Sequence, residues 1–359
     1  MPLLTRMVGV PLWVDIRPGA AAQLASLLAD RRISAAGDVA IVVGPGQGEA
    51  IAAQLAGTFP RASVMRAQTG TVDAAQTLAT NLRSGFYDAV VGIGGGRLLD
   101  TVKWAATHTG LPMIAVATNL AHDGIASPVA SLEHRGRKGS FGVQVPLAVV
   151  VDLDLVRRAP PRMLRSGIGD VVSNLTALTD WELAAQVRGE PMDGMAAAFA
   201  RTAALAILRH EGSIEDDSFL GALAEGLVLS GLAMSVAGSS RPCSGGEHEI
   251  VHAVTHLFPE IGNHGELAAL GTVFAASLQD DQRCFRDIVA CLRRHDLPTA
   301  PAHVGLSDQQ FLEAVLYAPA TRPDRYTILE HLALSETDIA AAIAALPARV
   351  EAATGTSGP

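Results

Sequence analysis

The sequence predicts an α/β domain built on a doubly wound parallel sheet, followed by an all-α domain. Three observations predict it. In the first 150 or so residues, short Val- and Ile-rich runs alternate with helical segments, the pattern of strand–helix–strand units. Those runs are continuously apolar rather than alternating, as strands covered on both faces must be. After Pro160 the β-branched runs nearly vanish and helical segments follow one another. A chain of 359 residues is also long for one domain. The division is therefore placed at 1–160, an α/β domain, and 161–359, a helical domain.

Each element has its reason. Val39–Val43 (VAIVV) is a strand, followed by Gly44-Pro45-Gly46 and an Ala-rich helix over 49–57. Ala62–Arg66 is a second strand. A helix over 73–85 takes Asp73 as its N-cap and Gly85 as its stop. Residues 88–93 (DAVVGI) form a third strand, and a helix over 98–107 follows a glycine triplet. Met113–Ala117 and residues 147–151 complete the set. Beyond Pro160, helices are expected over 163–187, 192–210, 217–237, 247–257, 266–278, 281–295, 308–317 and 336–345. The tail 355–359 is expected to be disordered.

Composition excludes several function classes. Net charge is −9, and no Lys/Arg block forms a basic stripe, so nucleic acid is not an expected partner. No run of about 18 apolar residues occurs, so no membrane span is predicted. The opening MPLLTRMVGVPLWVDIRPG is broken by prolines and an aspartate and makes a poor signal peptide. The 3 cysteines are few, odd in number and not in CxxC spacing. A reduced, cytoplasmic location is expected.

The densest chemistry lies in SGGEHEIVHAVTHLFPEIGNHGEL, which carries His248, His252, His256 and His264 of the chain's 11 histidines. The first three are spaced i, i+4, i+8 and share a face on a helix. His264 lies past a Pro259/Gly262 break, at the start of another helix. Two helices each offering an imidazole to one point form a metal-site pattern. Asp170, in Ser166-Gly-Ile-Gly169-Asp170, is either a helix N-cap or the third ligand of a site that leaves one coordination position open. His248-Glu249-Ile-Val-His252 also matches the zinc-protease pattern HExxH. Its metzincin extension fails, with Thr255 and Phe258 where Gly and His are needed.

Two stretches of the first half are candidates for ligand contact. Gly92-Ile-Gly94-Gly95-Gly96-Arg97-Leu98-Leu99-Asp100 runs from a strand into a helix, where glycines let a phosphate approach backbone N–H groups. The GxGxxG fingerprint fails at Arg97, and a tight strand–helix turn is the ordinary alternative. Thr118-Asn119-Leu120-Ala121-His122-Asp123-Gly124-Ile-Ala-Ser127-Pro128 follows the next strand. It lies where open α/β sheets bind ligands, though its residues also suit a plain turn.

Taken in order and spacing, GIGGGRLLDTVK, VATNLAHDGIASP, GIGDVVSN and GGEHEIVH…NHGE resemble the glycerol-1-phosphate dehydrogenase family. That family is part of a wider group of metal-dependent alcohol and polyol dehydrogenases that includes dehydroquinate synthase. The resemblance spans about 42–271. It implies a dehydroquinate synthase-like fold with the active site in the cleft between a nucleotide-binding and a helical domain. It implies that Gly94, Gly95, Gly96, Arg97, Leu98, Leu99 and Asp100 contact NAD or NADP, together with Thr118, Asn119, Leu120, Ala121 and Ser127. It implies that Asp170, His248 and His264 bind Zn2+ or another divalent ion. Asp123, Asp170 and His252 would serve the substrate, and His256 has no assigned role. The implied reaction is reversible reduction of dihydroxyacetone phosphate to sn-glycerol 1-phosphate, or of a related phosphorylated or polyol ketone. A homo-oligomer is expected.

Departures from the family pattern are Arg97 for a usual lysine, Glu249 for an apolar or neutral residue, and the bulkier Asn119-Leu120-Ala121 segment. A dehydroquinate synthase-like sugar-phosphate cyclase is the nearest rival. It would place Glu at the first metal position and needs several cations for its phosphorylated substrate, and the 151–270 region is poor in Lys. The HExxH protease is the remote one.

Overall fold

A computed structural model describes residues 8–34, 38–44, 47–55 and 62–354. Its internal contacts divide the chain into two compact units, Met1–Ala159 and Pro160–Pro359. The predicted turn at Pro45-Gly46, the end of the helix expected to reach Gly57, and the tail 355–359 lie outside the described residues.

The first unit holds eight strands among the described residues: β1 (Trp13–Arg17), β2 (Val39–Val43), β3 (Ala62–Arg66), β4 (Ala89–Gly94), β5 (Met113–Ala117), β6 (Val129–His134), β7 (Arg137–Gly142) and β8 (Ala148–Asp152). Its helices are α1 (Leu24–Leu28), α2 (Gln47–Leu55), α3 (Val72–Arg83), α4 (Gly96–Thr109) and α5 (Leu153–Val156). Six strands form one parallel sheet in the order β1-β8-β5-β4-β2-β3. The central strands β2, β4, β5 and β8 are buried along their whole length, which is what their continuous Val/Ile/Ala runs require. The chain reverses direction across the sheet between β2 and β4, so the turn after β4 lies at a topological switch point.

Several details differ from the sequence expectation, among them the short helices α1 and α5, which were not expected. The edge strand β1 was not expected: three of its five residues are exposed, and WVDIR offers no continuous apolar run. The β6–β7 hairpin was not expected either. Its turn, Arg135-Gly136, has positive φ at both positions (53° and 74°), where Asn-Gly or Asp-Gly is the usual signal. The α3 cap is Thr71 rather than Asp73; the Ala74 N–H donates to Thr71 Oγ1 at 3.1 Å.

The second unit is helical throughout: α6 (Pro161–Arg188), α7 (Gly194–Arg209), α8 (Asp217–Ala237), α9 (Gly246–Leu257), α10 (His264–Leu278), α11 (Gln282–Arg294), α12 (Asp308–Thr321), α13 (Ile328–Leu332) and α14 (Glu336–Thr354). The short α13 was not expected. α8 is long and apolar enough to cross a membrane, but 67% of its apolar window is buried inside the unit. Its packing against α7 and α6 accounts for that composition. Asp170 is not a cap. It lies well inside the 28-residue α6, buried, where a carboxylate has no helix end to serve.

Candidate metal centre and glycine turn

Three helices of the second unit meet without side chains between them. A β-carbon on Gly169 of α6 would lie 2.1 Å from the Gly265 carbonyl oxygen, and one on Gly265 would lie 1.8 Å from that of Ser166. A β-carbon on Gly271 of α10 would lie 2.6 Å from the Glu247 carbonyl oxygen on α9. α6, α10 and α9 thus touch backbone to backbone, at points only glycine permits. The Gly265 N–H donates to Ser166 Oγ at 3.1 Å, tying the first turn of α10 to α6. Asn263 and Glu266 close a capping box on the same turn, which explains why the helix begins at His264.

This packing gathers Asp170, His248 and His264. Their candidate ligand atoms all lie within 4.8 Å of one another. Asp170 Oδ1 is 3.1 Å from His264 Nε2 and 3.6 Å from His248 Nε2. Asp170 and His248 are buried, whereas the His264 side chain is 42% exposed, so the group opens on one side only. Burial alone would raise the Asp170 pKa; the hydrogen bonds from His248 and His264 outweigh it and hold the carboxyl well below its usual range. Burial would likewise lower the His248 pKa, but Asp170 and Glu247 raise it to about 9.

Behind His248, Glu247 Oε1 accepts from His248 Nδ1 at 3.0 Å and from the Gly245 N–H at 2.6 Å. Thr176 Oγ1 donates to the other carboxylate oxygen at 3.0 Å. A carboxylate fixed by two helices therefore orients the ring and leaves Nε2 facing Asp170 and His264. Sequence reasoning missed Glu247; its place one residue before a candidate ligand was the only available signal. Two imidazoles and one carboxylate, with an open fourth side, match the chemistry of a catalytic zinc site.

His252 is not part of this group. Its Nε2 accepts from Arg322 Nη2 at 2.9 Å, and burial, then Arg322, push its pKa well below the ordinary value. His256 is exposed and stacks on Tyr317, with ring centroids 5.3 Å apart. Glu249 is fully buried, with Oε2 3.2 Å from Thr327 Oγ1. Burial first, and Glu330 second, raise its pKa to about 9. The HExxH reading required His248 and His252 as joint ligands and Glu249 as a base at the metal. The geometry corrects it: His264 and Asp170 stand beside His248 instead.

In the first unit, Gly94 ends β4, Gly95 precedes α4 and Gly96 is its first residue. A β-carbon on Gly96 would lie 2.0 Å from His122 Nε2, and one on Gly95 would lie 2.4 Å from Asn119 Nδ2. The loop after β5 thus lies directly on the glycine turn after β4, and the first N–H groups of the 14-residue α4 point to that place. The Gly124 N–H donates to His122 Nδ1 at 2.9 Å, so the His122 ring caps the turn that holds Asp123. Arg97 is exposed, with its guanidinium against Gly70. Leu98, Leu99, Leu120, Thr118 and Ser127 are all buried, so the three leucines offer a ligand only backbone. Ala121 is half-buried. Asp100 is committed to structure: Oδ1 is 2.9 Å from the buried Lys103 Nζ, and Oδ2 accepts from the Ser131 N–H at 3.0 Å.

Comparison with known proteins identifies the family. Residues 15–160 match the iron-containing alcohol dehydrogenase family. A glycerol-1-phosphate dehydrogenase [NAD(P)+] of Methanosarcina mazei is 40% identical over 266 residues, 74% of this chain and 73% of its own length. One from Archaeoglobus fulgidus is 40% identical over 256 residues, 69% of this chain and 73% of its own. The chain belongs to the glycerol-1-phosphate dehydrogenase family. Its fold is shared with a probable glycerol dehydrogenase of Sinorhizobium meliloti, at a TM-score of 0.78 and 23% identity over 97% of this chain and all of the other. The glycerol dehydrogenase of Schizosaccharomyces pombe gives 0.77 and 20% identity, over 99% of this chain and 94% of the other. These likenesses establish the fold of this family member as that of the iron-containing alcohol dehydrogenase group.

Proposed function

We propose that this chain reduces dihydroxyacetone phosphate to sn-glycerol 1-phosphate with NADH or NADPH, using a divalent ion, zinc by preference, held by Asp170, His248 and His264. Family membership makes it an NAD(P)-dependent dehydrogenase acting on a small molecule. The observation that carries the metal-dependent reading is the convergence of Asp170, His248 and His264 from three helices, backed by Glu247. When bound, the ion supplies a Lewis acid for the substrate carbonyl, and the nicotinamide supplies the hydride.

The chain's own residues do the rest. Glu247 fixes the His248 tautomer and ring angle, so the ligand lone pair is aimed before any ion arrives. Asp170 brings one negative charge, and the imidazoles bring none when they bind through neutral nitrogen. A divalent cation so held keeps a net positive charge to polarise an oxygen. The exposed side at His264 admits substrate. The glycine turn and its first α4 N–H groups hold the dinucleotide phosphates, with Asn119 and His122 flanking them. His252 is neutral, with Nε2 occupied by Arg322 and its proton on Nδ1. It and Asp123 are the substrate-contacting groups. The location is the cytoplasm, and the working form is a homo-oligomer.

The cyclase rival gains nothing from the site, because Asp170 stands where that reading wants glutamate. Following NADH and NADPH oxidation with dihydroxyacetone phosphate, before and after chelation, tests the proposal. Turnover that chelation abolishes and zinc restores supports it. Turnover indifferent to chelation, or absent with both nucleotides, contradicts it.

A further inference from the structure

We propose that Arg322 and Arg325 form the subsite for the substrate's phosphate group, an inference that rests on the ketone-phosphate reading above. Both lie in the segment between α12, which ends at Thr321, and α13, which begins at Ile328. Arg322 Nη2 donates to His252 Nε2, and His252 is one helical turn beyond His248. The guanidinium therefore reaches the α9 face that carries a metal-ligand candidate.

The two side chains converge on one neutral hydroxyl. Arg322 Nη1 donates to Ser240 Oγ at 3.1 Å, and Arg325 Nη2 donates to the same oxygen at 3.0 Å. Arg325 Nη1 also donates to the Ser244 carbonyl. Neither arginine makes a salt bridge among the described residues, and the Nε–H of each makes no hydrogen bond there. Their neighbour Arg241 shows the contrast: its Nε donates to Glu190 Oε1 at 2.6 Å and its charge is matched.

The nearest carboxyls do not cancel the pair. Glu249 is buried, with Oε2 beside the Thr327 hydroxyl, and makes no ion pair with either arginine among the described residues. The Glu330 carboxylate is spent on the α13 cap, where it accepts from the Thr327 N–H and Oγ1. Glu247 is held by Gly245, His248 and Thr176. Burial lowers the pKa of both arginines. For Arg325, where Arg322 and Arg241 add to it, the value falls to about 10.

Two cations sharing one uncharged oxygen repel each other, most strongly where water is scarce. A dianionic phosphate removes that repulsion, and guanidinium forks match its oxygens. The subsite also supplies what the 151–270 region lacks, because both cations come from beyond it.

The test uses the metal-loaded enzyme and inorganic phosphate as probe. Calorimetry of wild type, Arg322→Gln and Arg325→Gln should show phosphate affinity falling about 10- to 100-fold in each variant, the range for a lost charged hydrogen bond. The ratio of kcat/KM for dihydroxyacetone phosphate to that for dihydroxyacetone should fall by a similar factor. Unchanged phosphate affinity and an unchanged ratio in variants with wild-type Tm would overturn the proposal. Wild-type protein alone gives a second reading: phosphate should protect Arg322 and Arg325 from phenylglyoxal, mapped by peptide mass, and protection of neither would also overturn it. If phosphate binds and the variants lose it while wild type turns over no ketone phosphate, the subsite stands and the substrate reading fails.

Discussion

A β-carbon on Gly169 would lie 2.1 Å from the carbonyl oxygen of Gly265, so α6 and α10 meet at a distance that only two glycines allow. Asp170 is the next residue along α6, and His264 is the residue before Gly265. The helix crossing and the proposed ligand pair are one feature. Gly169→Ala should push the helices apart, costing about 1–3 kcal/mol as an overpacked core does. Zinc affinity should fall with it. Thermal unfolding of the apo form, and titration against a chromophoric chelator, measure the two effects separately.

Glu247 orients His248 through its Nδ1 while adding nothing to the ligand set itself. Glu247→Gln keeps the side-chain length but replaces one acceptor oxygen with a donor. Zinc affinity should fall roughly 10- to 100-fold, the usual effect of losing such a backing carboxylate. Dinucleotide binding, which the proposed function places on the other unit, should be preserved. Chelator competition and nucleotide fluorescence titration check both halves.

The buried Lys103–Asp100 pair anchors α4 to the β6–β7 hairpin, because Lys103 Nζ also donates to the Ser127 and Val129 carbonyls. Lys103→Met leaves Asp100 buried with no cation. Breaking a buried pair in this way costs about 3–5 kcal/mol. Chemical denaturation should show that loss, and NAD(P) affinity should drop as the glycine turn loosens.

His295 is buried against Phe219, with ring centroids 4.7 Å apart. Burial, then Arg294 and Arg165, lower its pKa to about 4; Asp296 opposes them. Unfolding returns the ring to its ordinary value near 6.5. Between those two values the unfolded chain binds more protons than the folded one, so stability is full above about pH 6.5 and is lost as pH falls toward 4. His295→Phe removes this proton uptake. Its Tm should fall less than that of wild type between pH 6.5 and 4.5, measured by calorimetry across that range.

Much of this was legible in the sequence. The strands β2, β4, β5 and β8 were readable because they are continuous apolar runs, and the helices of the second unit because periodicity persists over many turns. The candidate ligands were readable because imidazoles are rare and clustered here, and because GIGD and HGE resemble a family pattern. What was hidden has physical reasons. β1 and β7 lie half in solvent and carry no apolar run. Gly169, Gly265 and Gly271 look like turn formers in one dimension, yet each works as a contact surface inside or at the start of a helix. Arg322 and Arg325 stand more than 50 residues beyond His264, in a segment with no motif to draw attention to it. Asp170 also read as a cap, although the helix expected over 163–187 already ran through it, as α6 does.

The central claim is that one divalent ion is gripped by Asp170, His248 and His264. Anomalous diffraction at the zinc edge, on crystals grown with zinc, tests it most directly. One strong peak is expected about 2.0–2.2 Å from an Asp170 oxygen and from Nε2 of both His248 and His264. A peak bridging His248 and His252 instead, or none near Asp170, would contradict it.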